Sequence, residues 1–419
     1  MSKMKDLKVA VLMMQKNESE LLNKWTAYHS YLFGIENLFI FDNGSNSNTV
    51  LSSLACIETR GGNVIREYES KADFENKGRI FQEKIEELQL TGDYDFFVPL
   101  DCDEFLACLD DYGEVSCDRT AVNSELTKHL DCEDVLMING QLYNSPMSNE
   151  WFNRQPYRKC FFYKNTIKEL DLGFHWGKTR NSDKEIRTGL VQFHFHNKPF
   201  TVAKEHAREK LKDRVENFQQ ETLQKYNGPG LHLTHFFTQT EEEFYSKQRR
   251  LKHFNTRALV HKFSELDIEW PFKEEISLVC ESLNLGDDEI LFSRQTEPFV
   301  GSADNIVVRD DVVEIEGWGI FNLMQPVTRI ILDVNGASHE LSISSRFERE
   351  DVCKRLNLSP LPIGFKATIP LKTIAENLFV ENEISIRTSL DNKMRTYFFD
   401  INRKYRNVFN NTITESNGE

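Results

Sequence analysis

The segment Phe96-Phe97-Val98-Pro99-Leu100-Asp101-Cys102-Asp103-Glu104 joins an apolar run directly to three carboxylates. Residues 94–100 have the composition of a short buried β-strand, and Asp101 falls just beyond the carboxyl end of that predicted strand. Ligands of open α/β sheets gather at the carboxyl ends of the strands. The segment therefore predicts a ligand site on an α/β scaffold.

The first 105 residues alternate short β-rich runs with helical patterns, which is typical of βαβ units and a mostly parallel sheet. Three further runs predict strands of this sheet: Lys8–Met14, Asn37–Phe41 and Asn63–Glu67. The spacing of apolar residues predicts helices after the first strand and over about 72–90. Asn17 is expected to cap the first helix, with Glu20 at its third position. The predicted fold class is a mostly parallel α/β sheet flanked by helices.

The remaining chain is less regular in its middle third. Strands are predicted at Val135–Asn139, Lys159–Tyr163 and Leu190–His196, and helices over about 202–225 and 241–263. From about residue 305, period-two runs predict a small all-β sandwich with strands at Val312–Glu316, Arg329–Val334 and Ile384–Thr388 and turns at Asn335-Gly336 and Asp391-Asn392. We therefore expect a catalytic domain over 1–290, a linker over about 285–304, a β-sandwich over 305–402 and a polar tail over 403–419.

Composition excludes several classes of protein. The 419 residues carry a formal charge of −15, which argues against a nucleic-acid binder because phosphate contacts need a basic surface. The eight cysteines form no CxxC pair, which favours reduced thiols over a zinc ribbon or a disulfide scaffold. We see neither a signal-peptide pattern nor the ~20 consecutive apolar residues of a membrane span. A cytoplasmic location is expected, with peripheral attachment at the inner face of the membrane as the alternative.

Asp101 and Asp103 are separated by one residue at a predicted bend, so both carboxylates can reach one divalent cation. Mg²⁺ and Mn²⁺ prefer oxygen ligands and keep open positions that phosphate oxygens can fill. A nucleoside diphosphate would suit such an ion. The alternative interpretation is a solvated acidic turn, since isolated triplets of this kind are common.

Three ordered motifs resemble those of the glycosyltransferase family 2-like group. The first comprises Asn17-Glu18, Trp25, Tyr28-His29, Phe33-Gly34-Ile35 and the run Phe39-Ile40-Phe41-Asp42-Asn43-Gly44-Ser45. The second is Pro99-Leu100-Asp101-Cys102-Asp103-Glu104-Phe105-Leu106, and the third comprises His235-Phe236-Phe237, Thr240, Glu242, Phe244, Lys247 and Arg250. The chain departs from the family at Lys24, Phe236 and Thr240, which leaves the details of donor binding open.

The resemblance implies a GT-A-type catalytic domain that transfers a sugar from a nucleotide sugar, foremost a UDP-sugar, to a glycan or glycolipid acceptor, with inversion. It implies an Mn²⁺ or Mg²⁺ ion held by Asp101, Asp103 and His235. The residues expected to bind the donor are Asn17, Glu18, Asp42, Asn43, Arg79, Lys247 and Arg250. Each of three residues also has a purely structural alternative: a turn cap for Asp42, an interaction with a helix dipole for Glu18, and a position in the core for His235.

An inverting transfer also needs a carboxylate base near the acceptor hydroxyl. Glu150 is our first candidate, in what reads as a loop rich in Asn, Ser and Pro, and Asp171 and Asp183 are the next. An exposed loop acid is the alternative for Glu150. The basic stretch Lys247–Lys262 is expected to meet the diphosphate or an anionic acceptor, with a solvated face or weak attraction to anionic lipid as alternatives.

Two other features carry open alternatives. His194 and His196 share one face of a predicted strand, but a zinc site would need a third ligand, and none occurs at a recognised spacing. The C-terminal module resembles small β-sandwich modules of bacterial glycan enzymes, and is expected to position an acceptor or mediate self-association, with Trp318 as a sugar platform or a core residue. The rival functions are a nucleotidyltransferase, a sugar-nucleotide pyrophosphohydrolase and a non-catalytic glycan-binding protein.

Overall fold

The computed structural model describes residues 7–109, 114–155, 157–251, 253–283, 299–321, 325–356, 358, 361–378, 382–389 and 396–401. Two compact units divide the chain: one lies within Met1–Cys108 and Val115–Gln295, the other within Leu109–Glu114 and Thr296–Glu419. Most of the predicted linker, the predicted turn at Asp391-Asn392 and the predicted tail lie outside the described residues. Among the helices described, none combines the length and apolarity needed to cross a membrane.

Up to residue 283, strands and helices alternate as an α/β unit. The strands are β1 Val9–Gln15, β2 Leu38–Asp42, β3 Asn63–Ile65, β4 Phe96–Asp101, β5 Glu104–Leu109, β6 Val115–Ser116, β7 Val135–Ile138, β8 Gly140–Ser145, β9 Ser148–Gln155, β10 Lys159–Tyr163, β11 Ile167–Leu170, β12 Gly177–Thr179, β13 Glu185–Arg187, β14 Leu190–His194 and β15 Phe254–Asn255. The α-helices are α1 Leu22–Phe33, α2 Asn48–Thr59, α3 Lys71–Glu75, α4 Lys77–Thr91, α5 Arg119–Thr127, α6 Phe200–Leu211, α7 Gln220–Lys225, α8 His235–Thr238, α9 Glu241–Arg249, α10 Ala258–Glu265 and α11 Lys273–Ser282.

The main sheet has the strand order β13-β7-β10-β4-β1-β2-β3, in which β4, β1, β2 and β3 run parallel. All seven residues of β1 are buried, as expected for a central strand covered on both faces. Gln15 pairs with Asp42 and Met14 with Asp101, so the carboxyl ends of three parallel strands lie in line. The α/β prediction is therefore confirmed, and the sheet places its polar end residues along one edge.

A second sheet has the strand order β15-β9-β8-β14-β5-β6. Its first strand along the chain, β5, follows directly after the turn at Cys102 and Asp103. In it β5 pairs antiparallel with β14, which sets Glu104 opposite His194. Strand β8 runs parallel to β14 on the other side, so Tyr143 also lies beside His194. The turn between the two sheets thus brings an acidic segment against a histidine that follows it by about 90 residues in the sequence.

The structure corrects several predicted boundaries. Asn17 does not cap α1: it has a φ of 57°, a conformation that Asn tolerates, and its side-chain oxygen accepts from the backbone N–H groups of Asn46 and Ser47. The helix predicted over 72–90 is two helices divided at Asn76, and a capping box of Ser70 and Asp73 starts the first. The helices predicted over 202–225 and 241–263 are likewise interrupted, the second by β15.

From residue 299 the described chain is mainly β-structure. Its strands are β16 Phe299–Arg309, β17 Val312–Phe321, β18 Gln325–Pro326, β19 Ile330–Val334, β20 Ala337–Phe347, β21 Gly364–Pro370, β22 Ile384–Ser389, β23 Thr396–Phe398 and β24 Asp400–Ile401, with helices α12 Glu350–Arg355 and α13 Leu371–Ile374. Asn335 and Gly336 both have positive φ between β19 and β20, which confirms the predicted turn. Trp318 is 5% exposed and packs with Ile320 and Val352, so it is a core residue and not a sugar platform.

Candidate active site

The carboxyl ends of β1 and β2 form the first part of the site. Gln15 donates a 2.7 Å hydrogen bond from its side chain to Asp42, and the Ser45 hydroxyl donates to the same carboxylate oxygen at 2.5 Å. Asp42 is buried, so this turn holds its carboxylate in a fixed orientation. These are the contacts of a turn-capping residue, and the nucleoside contact of Asp42 stays a prediction.

The neighbouring Asn43 links two loops. Its buried side-chain amide donates to the backbone oxygens of Tyr68 at 2.6 Å and Ser70 at 2.8 Å. Together with Asn17, which holds the start of α2 through Asn46, it stabilises the rim of the sheet edge. The observed role of Asn17 and Asn43 is therefore loop support, and donor binding by either stays a prediction.

Asp101 is the last residue of β4 and lies between two lysines. Lys77, from the start of α4, places Nζ 2.6 Å from one carboxylate oxygen, and Lys159, from β10, places Nζ 2.5 Å from the other. Burial raises the pKa of Asp101, but the two ammonium groups outweigh it and hold that pKa well below its ordinary value. The face of Phe174 contacts both ammonium groups, at 4.6 and 4.8 Å.

Glu104 is fully buried at the start of β5 and is not part of an exposed loop. Its Oε2 accepts from Lys159 at 3.0 Å and from the backbone N–H of Asp101 at 2.9 Å. Burial lowers the pKa of Lys159, but Asp101 and Glu104 together raise it above its ordinary value. Two carboxylates therefore share one buried ammonium group, and the bend of the chain is fixed by charge.

Asp103 faces the other side of the turn and meets His194. His194 Nε2 lies 3.4 Å from Oδ2 of Asp103, and His194 Nδ1 donates to the side-chain oxygen of Gln141 at 3.2 Å. Burial raises the pKa of Asp103, but His194 outweighs it, and the pKa lies well below its ordinary value. Burial lowers the pKa of His194, yet Asp103 produces a net increase. Each partner thus favours the charged form of the other.

The paired histidines have an aromatic partner that the sequence did not indicate. The Tyr143 ring stacks on His196 at 4.4 Å between centroids and meets His194 edge-on at 4.8 Å. Within the described ranges, no group of three or more His, Cys, Asp or Glu side chains is arranged to hold a metal ion. The two histidines do share a face, and their partners are Tyr143 and Asp103.

The predicted Mn²⁺ or Mg²⁺ ion can be tested against these side chains. Such ions are usually held by one or two protein carboxylates, with substrate phosphates and water completing the shell. Asp103 fits this requirement, because its side chain is 26% exposed and only His194 contacts its carboxylate in the described structure. Asp101 does not fit, because each of its oxygens already accepts from an ammonium group. The role of Asp101 in the described structure is to fix the turn, and its metal-ligand role stays a prediction.

A third lysine, Lys198, lies on the segment after β14. Its Nζ is 3.5 Å from Oε2 of Glu18 and 3.1 Å from Nδ1 of His206 on α6. Lys198 also contributes to the low pKa of Asp103, after the larger effects of burial and His194. Glu18, which is predicted to bind the donor, thus lies in the same cluster. Lys198 and His206 belong to no motif, so the sequence did not identify them as site residues.

The third predicted motif does not join this cluster in the described structure. His235 begins α8, is exposed, and contacts the backbone oxygen of His232 through Nδ1. No contact links it to Asp101 or Asp103 among the described residues. A capping box of Thr240 and Glu243, whose spacing is readable from the sequence, starts α9. The part of His235 in metal binding stays a prediction.

The cations assigned to the donor lie on helix surfaces. Lys247 is exposed on α9 and donates to the side chain of Gln239 at 2.8 Å, and Arg250 is exposed at the end of the same helix. Arg79 is exposed on α4 and pairs with Glu83 at 2.9 Å. Lys262, at the other end of the basic stretch, is buried and pairs with Asp118 at 2.7 Å. The stretch is therefore not one continuous solvated basic face.

The three candidate bases occupy separate positions. Glu150 lies in β9 and not in a loop, and its carboxylate is 3.0 Å from Nε of Arg257. Asp171 accepts from the backbone N–H groups of Trp176 and Gly173, as a turn-capping residue does, and Asp183 is exposed between β12 and β13. No contact joins any of the three to Asp103 in the described part of the chain. All three stay predictions.

Comparison with known proteins adds little at this point. No family model and no curated protein matches the chain. Among solved structures, Staphylococcus aureus TarS is 11% identical over 94% of this chain and 78% of its own, with a TM-score of 0.28. The structure of TarS residues 1–349 is 11% identical over 75% of this chain and 97% of its own, with a TM-score of 0.24. A cytidylyltransferase from Leptospira borgpetersenii serovar Hardjo-bovis is 13% identical over 31% of this chain and 53% of its own, with a TM-score of 0.20. With TM-scores this low, these likenesses carry no argument about this chain.

Proposed function

We propose that this chain is a glycosyltransferase that moves a sugar from a nucleoside diphosphate sugar, foremost a UDP-sugar, to a glycan or glycolipid acceptor. The observation that supports it most is the position of Asp42 and Asp101 at the carboxyl ends of parallel strands, with Asp103 in the turn that follows Asp101. Ligands of open α/β sheets bind at this edge. The order of the three sequence motifs favours the transferase over other nucleotide-using enzymes.

In this proposal Asp103 would hold the Mn²⁺ or Mg²⁺ ion. When bound, such an ion neutralises the charge that develops on the departing diphosphate. Asp101 holds the turn rigid through Lys77 and Lys159, so that the Asp103 carboxylate keeps its direction. Rigid support of this kind matters because misplaced catalytic groups lose much of their effect.

The proposed reaction is inverting, and Glu150 is the first candidate for the base that takes the proton of the acceptor hydroxyl. Its side chain is 27% exposed, so solvent and an acceptor can reach it, and its ion pair with Arg257 fixes the carboxylate. Asp171 is held by two backbone N–H groups, which stabilise the carboxylate but leave it fewer directions in which to accept a proton. Asp183 remains the third candidate.

We place the C-terminal unit in acceptor positioning or self-association, and the enzyme in the cytoplasm or at the inner face of the membrane. Trp318 is buried in the core of this unit, so it is not the aromatic platform that contacts the sugar. Candidate platforms among the described residues are therefore exposed aromatic rings such as Phe398.

The experiment that tests the proposal is incubation of the full chain with a panel of nucleotide sugars and Mn²⁺. Slow release of nucleoside diphosphate is expected, because water replaces the acceptor in many transferases at a low rate. Release of nucleoside monophosphate would instead identify a pyrophosphohydrolase. No turnover with any donor, together with binding to glycans, would identify a non-catalytic binding protein and refute the proposal.

A further inference from the structure

Lys198 is a largely buried cation whose only carboxylate contact in the described structure is a long one. Its side chain is 12% exposed, and its Nζ lies 3.5 Å from Glu18, beyond the usual length of a charge-assisted hydrogen bond. Its second contact is His206 Nδ1 at 3.1 Å. Because an ammonium group has three N–H donors, one donor remains without an acceptor among the described residues.

His206 adds a second donor beside Lys198. An ammonium group can only donate, so Nδ1 of His206 must accept, and in the neutral ring the proton then lies on Nε2. Burial and the adjacent charges of Lys198 and Lys210 lower the pKa of His206 to about 4, so the ring is neutral at physiological pH. The pair therefore presents N–H groups and one full positive charge.

The segment that carries Lys198 is held rigidly. Asn197 and Asn144 exchange three hydrogen bonds of 2.8 to 2.9 Å through their side chains and backbones. The backbone N–H of Phe195 donates to the backbone oxygen of Asp103 at 2.8 Å. Lys198 is thereby fixed in position close to the Asp103 turn, and a preorganised cation binds an anion with little ordering cost.

We propose that Lys198, with His206 beside it, forms an anion site that takes the diphosphate of the donor. This inference rests on the proposed function for the identity of the ligand. A protein of net charge −15 repels anions over most of its surface, so a diphosphate needs a local cation of this kind. The long contact with Glu18 leaves the ammonium group available to phosphate oxygens, which are charge-assisted acceptors at shorter distance.

The test measures binding of inorganic pyrophosphate, UDP and uridine to the full chain by calorimetry in EDTA-treated buffer. The variants are Lys198→Met, which removes the charge, and Lys198→Arg, which keeps it. Lys212→Met is the matched control, because Lys212 is exposed at the end of α6 and pairs only with Glu209 in the described structure. Thermal unfolding of each variant verifies that it is folded.

Lys198→Met is expected to weaken pyrophosphate and UDP binding by at least about tenfold, as loss of a charged hydrogen bond would, and to leave uridine binding unchanged. Lys198→Arg and Lys212→Met should bind like the original chain. Glu18→Gln provides a second test, since removal of the competing carboxylate should strengthen pyrophosphate binding.

Failure of this inference differs from failure of the proposed function. Unchanged pyrophosphate binding in Lys198→Met, or no binding by the original chain, overturns the anion site even if donor turnover is observed. Lys198-dependent pyrophosphate binding without turnover of any nucleotide sugar supports the anion site and refutes the transferase.

Discussion

Lys159 donates to Asp101 across 2.5 Å from a side chain that is 1% exposed. The two residues are 58 positions apart in sequence, and antiparallel pairing of β10 with β4 brings them together. The same ammonium group reaches Glu104. In the motif that the sequence presents as a cluster of free carboxylates, Asp101 and Glu104 therefore pair with buried lysines, whereas Asp103 pairs with His194.

The first prediction concerns stability. Asp101→Asn should lower the free energy of unfolding by about 3 kcal/mol, because the buried ammonium group of Lys77 loses its counterion and that of Lys159 keeps only Glu104. This is the low end of the usual range, since Asp101 keeps 30% exposure. Urea denaturation at pH 7 measures it. Asp103→Asn is the comparison and should lower the free energy of unfolding much less. Equal stability of the two variants would show that the buried lysines do not need the charge of Asp101.

The second prediction concerns the metal. Asp103→Asn should weaken Mn²⁺ binding in the presence of UDP by more than about tenfold, since even loss of an outer-sphere partner costs that much. Transfer should fall with it. Calorimetry with Mn²⁺ measures the effect, and Asp93→Asn, an exposed carboxylate, is the control. Normal Mn²⁺ affinity in the Asp103 variant would remove this residue from the metal site.

The third prediction concerns the base. Glu150→Gln should reduce transfer by ~10²–10⁴ while donor binding is retained, because general base catalysis contributes in that range. Initial rates with an acceptor and a thermal shift with the donor separate the two effects. Arg257→Gln controls for loss of the ion pair and should change transfer far less. If the Glu150 variant transfers sugar normally, Asp171 and Asp183 become the next variants to make.

The fourth prediction concerns pH and the support of β14. Glu125 accepts from the N–H of Gly189, just before β14, and pairs with His129 and Lys128. Burial raises the pKa of Glu125, but these partners lower it from 4.5 to about 2. A lowered pKa in the folded state stabilises it above pH 4.5, and this stabilisation is lost as the pH falls towards 2.

Glu125→Gln should therefore cost about 3 kcal/mol at pH 7, and the difference from the original chain should shrink between pH 4.5 and 2. Urea unfolding across this pH range measures both. A difference that stays constant with pH would show that the carboxylate charge contributes nothing.

The fifth prediction concerns the C-terminal unit. A chain truncated near residue 295 should still hydrolyse donor slowly in Mn²⁺, while transfer to the natural acceptor falls or a self-associated form dissociates. Activity assays and light scattering measure these outcomes. A folded truncation that no longer hydrolyses donor would show that the C-terminal unit completes the catalytic site.

Local patterns in the sequence were sufficient for the parallel α/β sheet, for the position of Asp101 at a strand end and for the capping box at Thr240, since each depends on neighbours within a few residues. A sign that Lys159 is paired was also present in the sequence. Lys159 is the first residue of the buried strand Lys159-Cys160-Phe161-Phe162-Tyr163, and a buried charge requires a partner. The β-strand around Glu150 was missed because its polar residues and Pro146 are typical of loops.

Tertiary structure alone decided which carboxylates of the motif pair with lysines. Lys77 and Lys159 reach Asp101 from 24 and 58 residues away, and Lys198 meets Glu18 across 180 residues. Such pairings depend on strand order and register, which no local pattern specifies, whereas the residue types that can bind phosphate or metal are readable from the sequence. The residue types available to this protein were thus set by its sequence, whereas the proposed roles of Asp103 and Lys198 depend on the long-range contacts of their neighbours.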